Sequence, residues 1–235
     1  MSAQPLIAFF KEIDKEDLSL VGGKGANLGE MAKAGFPVPN GFGITVHSYD
    51  SFMEHNGISE EIYKILRALD VSDSETLNAA SKKIQKLIKT SEMPSEVASE
   101  VIRAYKRLSG PLRRTLVAVR SSATAEDLPG ASFAGQQATL LNIKGEANLL
   151  EAVKECWASL FTGRSIFYRT QNKISHEKVK IAVMVQKMVQ SEVSGVMFTV
   201  NPVTNEKEQL IIEAVWGLGE LIVLASIGSK LGEMI

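Results

Sequence analysis

Residues 116–139, LVAVRSSATAEDLPGASFAGQQAT, constrain this chain more than any other stretch. Leu116, Val117 and Val119 read as a short buried strand, and the apolar pattern stops at Arg120. Small and polar residues follow, among them Ser121, Ser122, Thr124, Gly130, Ser132 and Gly135. They offer hydroxyls, approachable amides and backbone freedom beside one guanidinium that can grip two oxygens. This set suits a loop that closes over an oligophosphate. It suits equally a surface loop in which Arg120 pairs with Glu126 or Asp127, and the stretch alone leaves the two readings even.

At 235 residues, 45% hydrophobic and 23% charged, the chain can bury a substantial core in one large domain or two lobes. A net charge of −1 and the lack of a Lys/Arg block give a nucleic-acid or anionic-membrane partner no electrostatic support. The first residues lack the basic start and apolar run of a secretory signal, and no stretch approaches a membrane span. A cytoplasmic location is the expectation. Cys156 is the only cysteine, so an internal disulfide or a Cys-rich metal site is excluded.

In chain order, a strand is predicted around Leu6 to Phe10. Val21-Gly22-Gly23-Lys24-Gly25 then opens a helix that Gly35 stops. A glycine turn at a helix start is an anion site by its amides and dipole, here with a lysine beside it. The Walker spacing is absent, and taken alone the glycines read rather as a tight strand-to-helix turn with Lys24 solvated. Phe42 to Val46 reads as a strand, followed by a helix to Asn56. From Ile58 to Leu108 the pattern is helical, with core stripes at Ile62, Ile65, Leu66 and Leu69 and at Leu77, Ile84, Leu87 and Ile88. Thr139 to Ile143 reads as a strand and Gly145 to Leu160 as an amphipathic helix whose apolar face holds Cys156 as a buried thiol. A helix around Arg164 to Asn172 presents Phe167 and Tyr168 for packing. Strands are predicted at 180–185, 194–200 and 209–215, the last two paired antiparallel through the turn Asn201-Pro202-Val203-Thr204-Asn205.

Three ordered motifs, VGGKGANLGEM, VAVRSSATAEDLPGASFAGQQ and SGVMFTVNPVT with GLGE, resemble the ATP-binding region of the phosphoenolpyruvate synthase family. Pyruvate phosphate dikinase and rifampin phosphotransferase share the layout. The resemblance runs from about Leu18 to Glu220. It implies an α+β fold of ATP-grasp type, two-lobed, with a mixed, partly antiparallel sheet and a helical insertion. Residues 1–110 with 198–235 are expected in one lobe and 111–197 in the other, and segments 22–25 and 121–135 are expected to move on closure.

The same resemblance implies the site. Lys24 and Arg120 are the expected phosphate-gripping cations, with Ser121 and Ser122 as helpers and Gly135 and Thr139 near the phosphates. Gln186, Lys187 and Val189 occupy the strand end expected to receive adenine, walled by Met184 or Met188. ATP is the implied cofactor with Mg2+, whose ligands are expected outside this chain. The implied partners are a downstream phosphohistidine domain and a pyruvate-binding domain. His47, His55 and His176 lack the setting of that histidine, and Glu213 and Glu220 are read as structural. The implied activity is ATP-dependent phosphorylation of pyruvate through the phosphohistidine, which this chain alone would not complete. The alternatives are the ATP-binding part of a dikinase or rifampin phosphotransferase, or a non-catalytic nucleotide-binding subunit.

Overall fold

A computed structural model describes residues 4–110, 115–124, 138–219 and 222. Contacts divide the chain into two compact units, Met1–Met188 and Val189–Ile235. The sequence expectation places its boundaries instead at 110/111 and 197/198. The strand pairing explains the difference, because strands from both sides of residue 110 share one sheet.

That sheet has five strands in the order β1 (Ile7–Phe9), β2 (Gly41–Ile44), β5 (Ile181–Lys187), β3 (Val117–Ala123), β4 (Thr139–Ile143). Every pairing among the described residues is antiparallel, where a mixed sheet was expected. Side chains alternate between its faces. Val117, Val119, Ile181, Val183, Val185, Phe42 and Ile44 enter the large core beneath helices α2 (Val46–Asn56), α4 (Ser74–Thr90), α5 (Ser95–Ser109), α6 (Glu146–Ala158) and α7 (Gly163–Gln171). Ala182 and Met184 point the other way, into a smaller core with Val21 and Ala26 of α1 (Leu18–Lys33). The first unit is thus a sheet with one helix on one face and a helical layer on the other.

The helical stripes fall as their 3.6-residue period requires. Ile62 and Leu66 of α3 (Ser59–Arg67) and Leu77, Ile84 and Ile88 of α4 are buried. On α6, Leu149, Val153, Cys156 and Trp157 are buried together. On α7 the expectation holds for Tyr168, which is half-buried against the large core, and fails for Phe167, which is exposed; the buried face carries Ile166 and Arg169.

The second unit holds a hairpin, β6 (Val193–Phe198) with β7 (Ile211–Trp216), in antiparallel register from Val193↔Trp216 to Phe198↔Ile211. Asn201 organises the connection: its Oδ1 accepts from the amides of Val203 (2.9 Å) and Thr204 (3.2 Å), and its Nδ2 donates to Gln209 Oε1 (2.7 Å). This side-chain mimicry of a backbone turn is why the NPVTN segment reverses the chain.

Candidate functional site

The sequence stops the central strand at Arg120, whereas the structure continues β3 to Ala123. Ser121 and Ser122 are fully buried, opposite Val183 and Ala182 of β5. Their hydroxyls are small enough for a covered sheet and find partners there. Ser121 Oγ donates to the Ala138 carbonyl (3.3 Å), and Ser122 Oγ accepts from the Gly25 amide (3.4 Å).

That last bond joins the first and second motifs. Helix α1 is interrupted at Gly22 (φ 68°, ψ 174°), so its main run starts anew at the glycine turn. A Cβ on Gly22 would stand 2.5 Å from Ser122 Oγ and 2.6 Å from the Ser122 carbonyl oxygen. One on Gly25 would stand 2.9 Å from Met184 Sδ. The glycines therefore let a helix start sit directly on β3 and β5, and the segment expected as a mobile loop is buried there at Gly22, Gly23 and Gly25. Lys24, half-buried, lies between these two contacts and is engaged within the chain.

Arg120 shares a sheet face with Ser122 and stands opposite Met184 on one side and Thr139 on the other. A register shift in β4, where Asn142 adopts φ 59°, brings exposed Thr139 into that position. The Nε of Arg120 is buried and has no hydrogen-bond partner among the described residues. Lys24 and Arg120 are thus carried by elements in direct contact on one face of the sheet. Gly135, Glu126 and Asp127 lie outside the described residues, as does Glu220.

The expected adenine end is more constrained. The amide of Lys187 donates to the Asn40 carbonyl (2.9 Å), and that of Met188 to the Leu116 carbonyl (2.9 Å). Gln186 Nε2 donates to the Pro39 carbonyl (3.2 Å). Val189 is exposed and opens the second unit. Met184 is fully buried beneath Gly25 and Gly43, so it is a packing residue and does not wall a ligand. A hollow of about 260 Å3 in the first unit is lined by residues from Tyr49 to Lys180, none of them a predicted site residue.

Burial pushes the Cys156 thiol well up, with Glu155 adding to the shift and Lys24 opposing it. A thiol so protonated is no nucleophile. Sequence reasoning missed Arg169, a fully buried cation whose Nε donates to His176 Nδ1 at 2.9 Å. An arginine inside an amphipathic pattern reads as surface, so its only sequence signal was its place one turn beyond Ile166.

The family described as pyruvate phosphate dikinase, AMP/ATP-binding domain, matches residues 18–229, and the chain belongs to that family. More particularly, it is similar to phosphoenolpyruvate synthases. It is 54% identical over 218 residues to a probable phosphoenolpyruvate synthase of Archaeoglobus fulgidus, covering 92% of this chain and 29% of that protein. With the probable enzyme of Staphylothermus marinus it shares 50% over 221 residues (92% and 26%), and with the phosphoenolpyruvate synthase of Pyrococcus furiosus 45% over 259 residues (96% and 32%). The chain therefore spans less than a third of the length of these relatives.

Proposed function

We propose that this chain is the ATP-binding portion of a phosphoenolpyruvate synthase-type phosphotransferase, with an ATP-grasp arrangement in which Lys24 and Arg120 hold the phosphates. The observation that carries this reading is the seating of the glycine turn of α1 on β3 beside Arg120, whose buried Nε lacks a partner among the described residues. A half-buried guanidinium beside a helix start is prepared for an anion, because the fold has already removed part of its water and a ligand can supply acceptors to its remaining N–H groups.

In this reading Arg120 and Lys24 neutralise charge on the phosphate oxygens, and Thr139 and Gly135 border them. Ser121 and Ser122 act indirectly, by fixing β3 against Ala138 and Gly25. Adenine is read at Gln186–Val189 through groups other than the Lys187 and Met188 amides, which are already bonded. Magnesium would neutralise the triphosphate. Among the described residues no three His, Cys, Asp or Glu side chains gather as a metal site.

The reaction assigned to the longer protein converts ATP, water and pyruvate to phosphoenolpyruvate, AMP and phosphate by way of a histidine outside these residues. The chain alone binds nucleotide without turnover. Calorimetric titration of ATP against the chain and its Arg120→Ala variant tests the site. Loss of a charge-assisted contact of about 1.5 to 3 kcal/mol weakens binding roughly 10- to 100-fold. Equal affinity in the two proteins removes Arg120 from the site, and pyruvate-dependent AMP release by this chain contradicts the division of labour.

A further inference from the structure

The two faces of the β6–β7 hairpin differ in character. Its register pairs Val193 with Trp216, Gly195 with Ala214 and Met197 with Ile212, and strand alternation puts these six residues on one face. None of them is charged. Val193, Met197 and Ile212 are each more than half exposed, and Trp216 almost wholly so. Leu210, exposed as well, lies two residues before Ile212. On the opposite face Ser194, Val196, Phe198, Ile211 and Val215 are half-buried, and Ser194 Oγ donates to the Gly217 carbonyl at 2.6 Å. The apolar exposure is therefore one-sided.

Among the described residues β6 and β7 pair only with each other. Two strands alone are marginal in water, and a cover over the apolar face is what stabilises such a hairpin. The composition of the face selects the cover. It offers no charge for an acidic, basic or nucleic-acid partner to read, whereas a copy of itself meets it without burying one. The area is sufficient. A largely exposed tryptophan offers about 200 Å2 and an aliphatic side chain about 100 Å2, so Trp216, Val193, Met197, Ile212 and Leu210 present roughly 600 Å2 of apolar surface. Interfaces are about 60% apolar, so this corresponds to roughly 1,000 Å2 per copy, above the about 800 Å2 that each partner of a stable pair buries.

We propose that this face is the interface of a two-fold symmetric dimer, in which the hairpins of two copies stack as a four-stranded sandwich. Sheets so stacked lie about 10 Å apart, a gap that large apolar side chains fill. A two-fold axis that reverses the strands sets Trp216 of one copy on Met197 of the other, twice, as a sulfur–aromatic contact. The interface uses no residue of the proposed nucleotide site and forms whether or not ATP binds.

Sedimentation equilibrium over a dilution series tests this, with tryptophan emission read in parallel. The chain has two tryptophans, and Trp157 is fully buried in the first unit, so a shift in emission on dilution reports on Trp216. The expected result is a species of twice the chain mass that dissociates on dilution, its emission moving to longer wavelength as Trp216 meets water. Ile212→Lys is expected to weaken the dimer at least about 100-fold, because a symmetric interface buries the lysine twice. Met197→Lys replaces it should Ile212→Lys lower the far-UV circular dichroism. Glu213→Gln, on the other face opposite Val196, is expected to leave the dimer unchanged. The proposal is overturned if the chain is monomeric throughout, if emission stays constant as copies associate, or if a lysine on the face leaves association unchanged. Assembly that runs on past two copies overturns it as well, since pairing through free strand edges, not stacking of the faces, is open-ended.

Discussion

At Gly22 two constraints act on one residue. Its φ of 68° is a conformation that side chains resist, and the space a Cβ would need is filled by backbone atoms of Ser122. Gly35 has the first constraint without the second, since its φ is 84° and no described atom of the surroundings lies within 4 Å of the point a Cβ would occupy. Gly22→Ala is therefore expected to cost about 3 kcal/mol and Gly35→Ala about 1 kcal/mol, read as the shift in urea unfolding. Equal costs would show that the contact with Ser122 carries no energy. A second residue-scale device is His176. Burial, then the Arg169 charge, pushes it from 6.5 down to about 4. The unfolded chain holds this proton more tightly than the folded one, so stability is full above pH 6.5 and is lost as pH falls from 6.5 towards 4. The ring is only half-buried, which discounts the effect to about 1 to 2 kcal/mol. Comparison of urea midpoints at about pH 7.5 and about pH 5 should show a larger loss in the wild type than in His176→Asn, which keeps an acceptor for Arg169 and does not titrate.

The meeting of α1 with β3 was legible in the sequence only in part. The glycine spacing and the lone Arg120 marked the two segments, but periodicity ended the strand at Arg120 because Ser121 and Ser122 broke the apolar alternation. Polarity misled there: a buried serine with a backbone partner satisfies a covered sheet as well as an alanine does. Cys156 and the stripes of α3 and α4 were readable because burial there depends on helical spacing alone. Met184 and Arg169 were not, since one is set by the approach of glycines distant in sequence and the other by the tertiary enclosure of a charged side chain. The bond from the Gly25 amide to Ser122 Oγ gives the element-scale prediction. Ser122→Ala leaves a buried amide without its acceptor and should cost about 1 to 2 kcal/mol, and hydrogen exchange at Gly25 should accelerate by the corresponding factor. Unchanged exchange at Gly25 would mean that the two motifs are held together by packing alone.

At the scale of the molecule, both core clusters are closed before the second unit begins. Their buried members run from Ala8 to Val185, and β5 completes its pairings by Lys187. The hairpin that follows has a different balance. Val193, Gly195, Met197, Ile212, Ala214 and Trp216 lie on one face by register, and Trp216 is 85% exposed. A wholly apolar sheet face in water favours association over stability. Removal of residues 189–235 is therefore expected to leave the first unit folded, with far-UV circular dichroism of mixed helix and sheet and a thermal midpoint within about 5 °C of the parent. It should also lower concentration-dependent association in sedimentation. An unfolded truncated chain would show that the sheet needs the second unit despite its closed core. Association persisting at the parent level would place the adhesive surface on the first unit rather than on the hairpin.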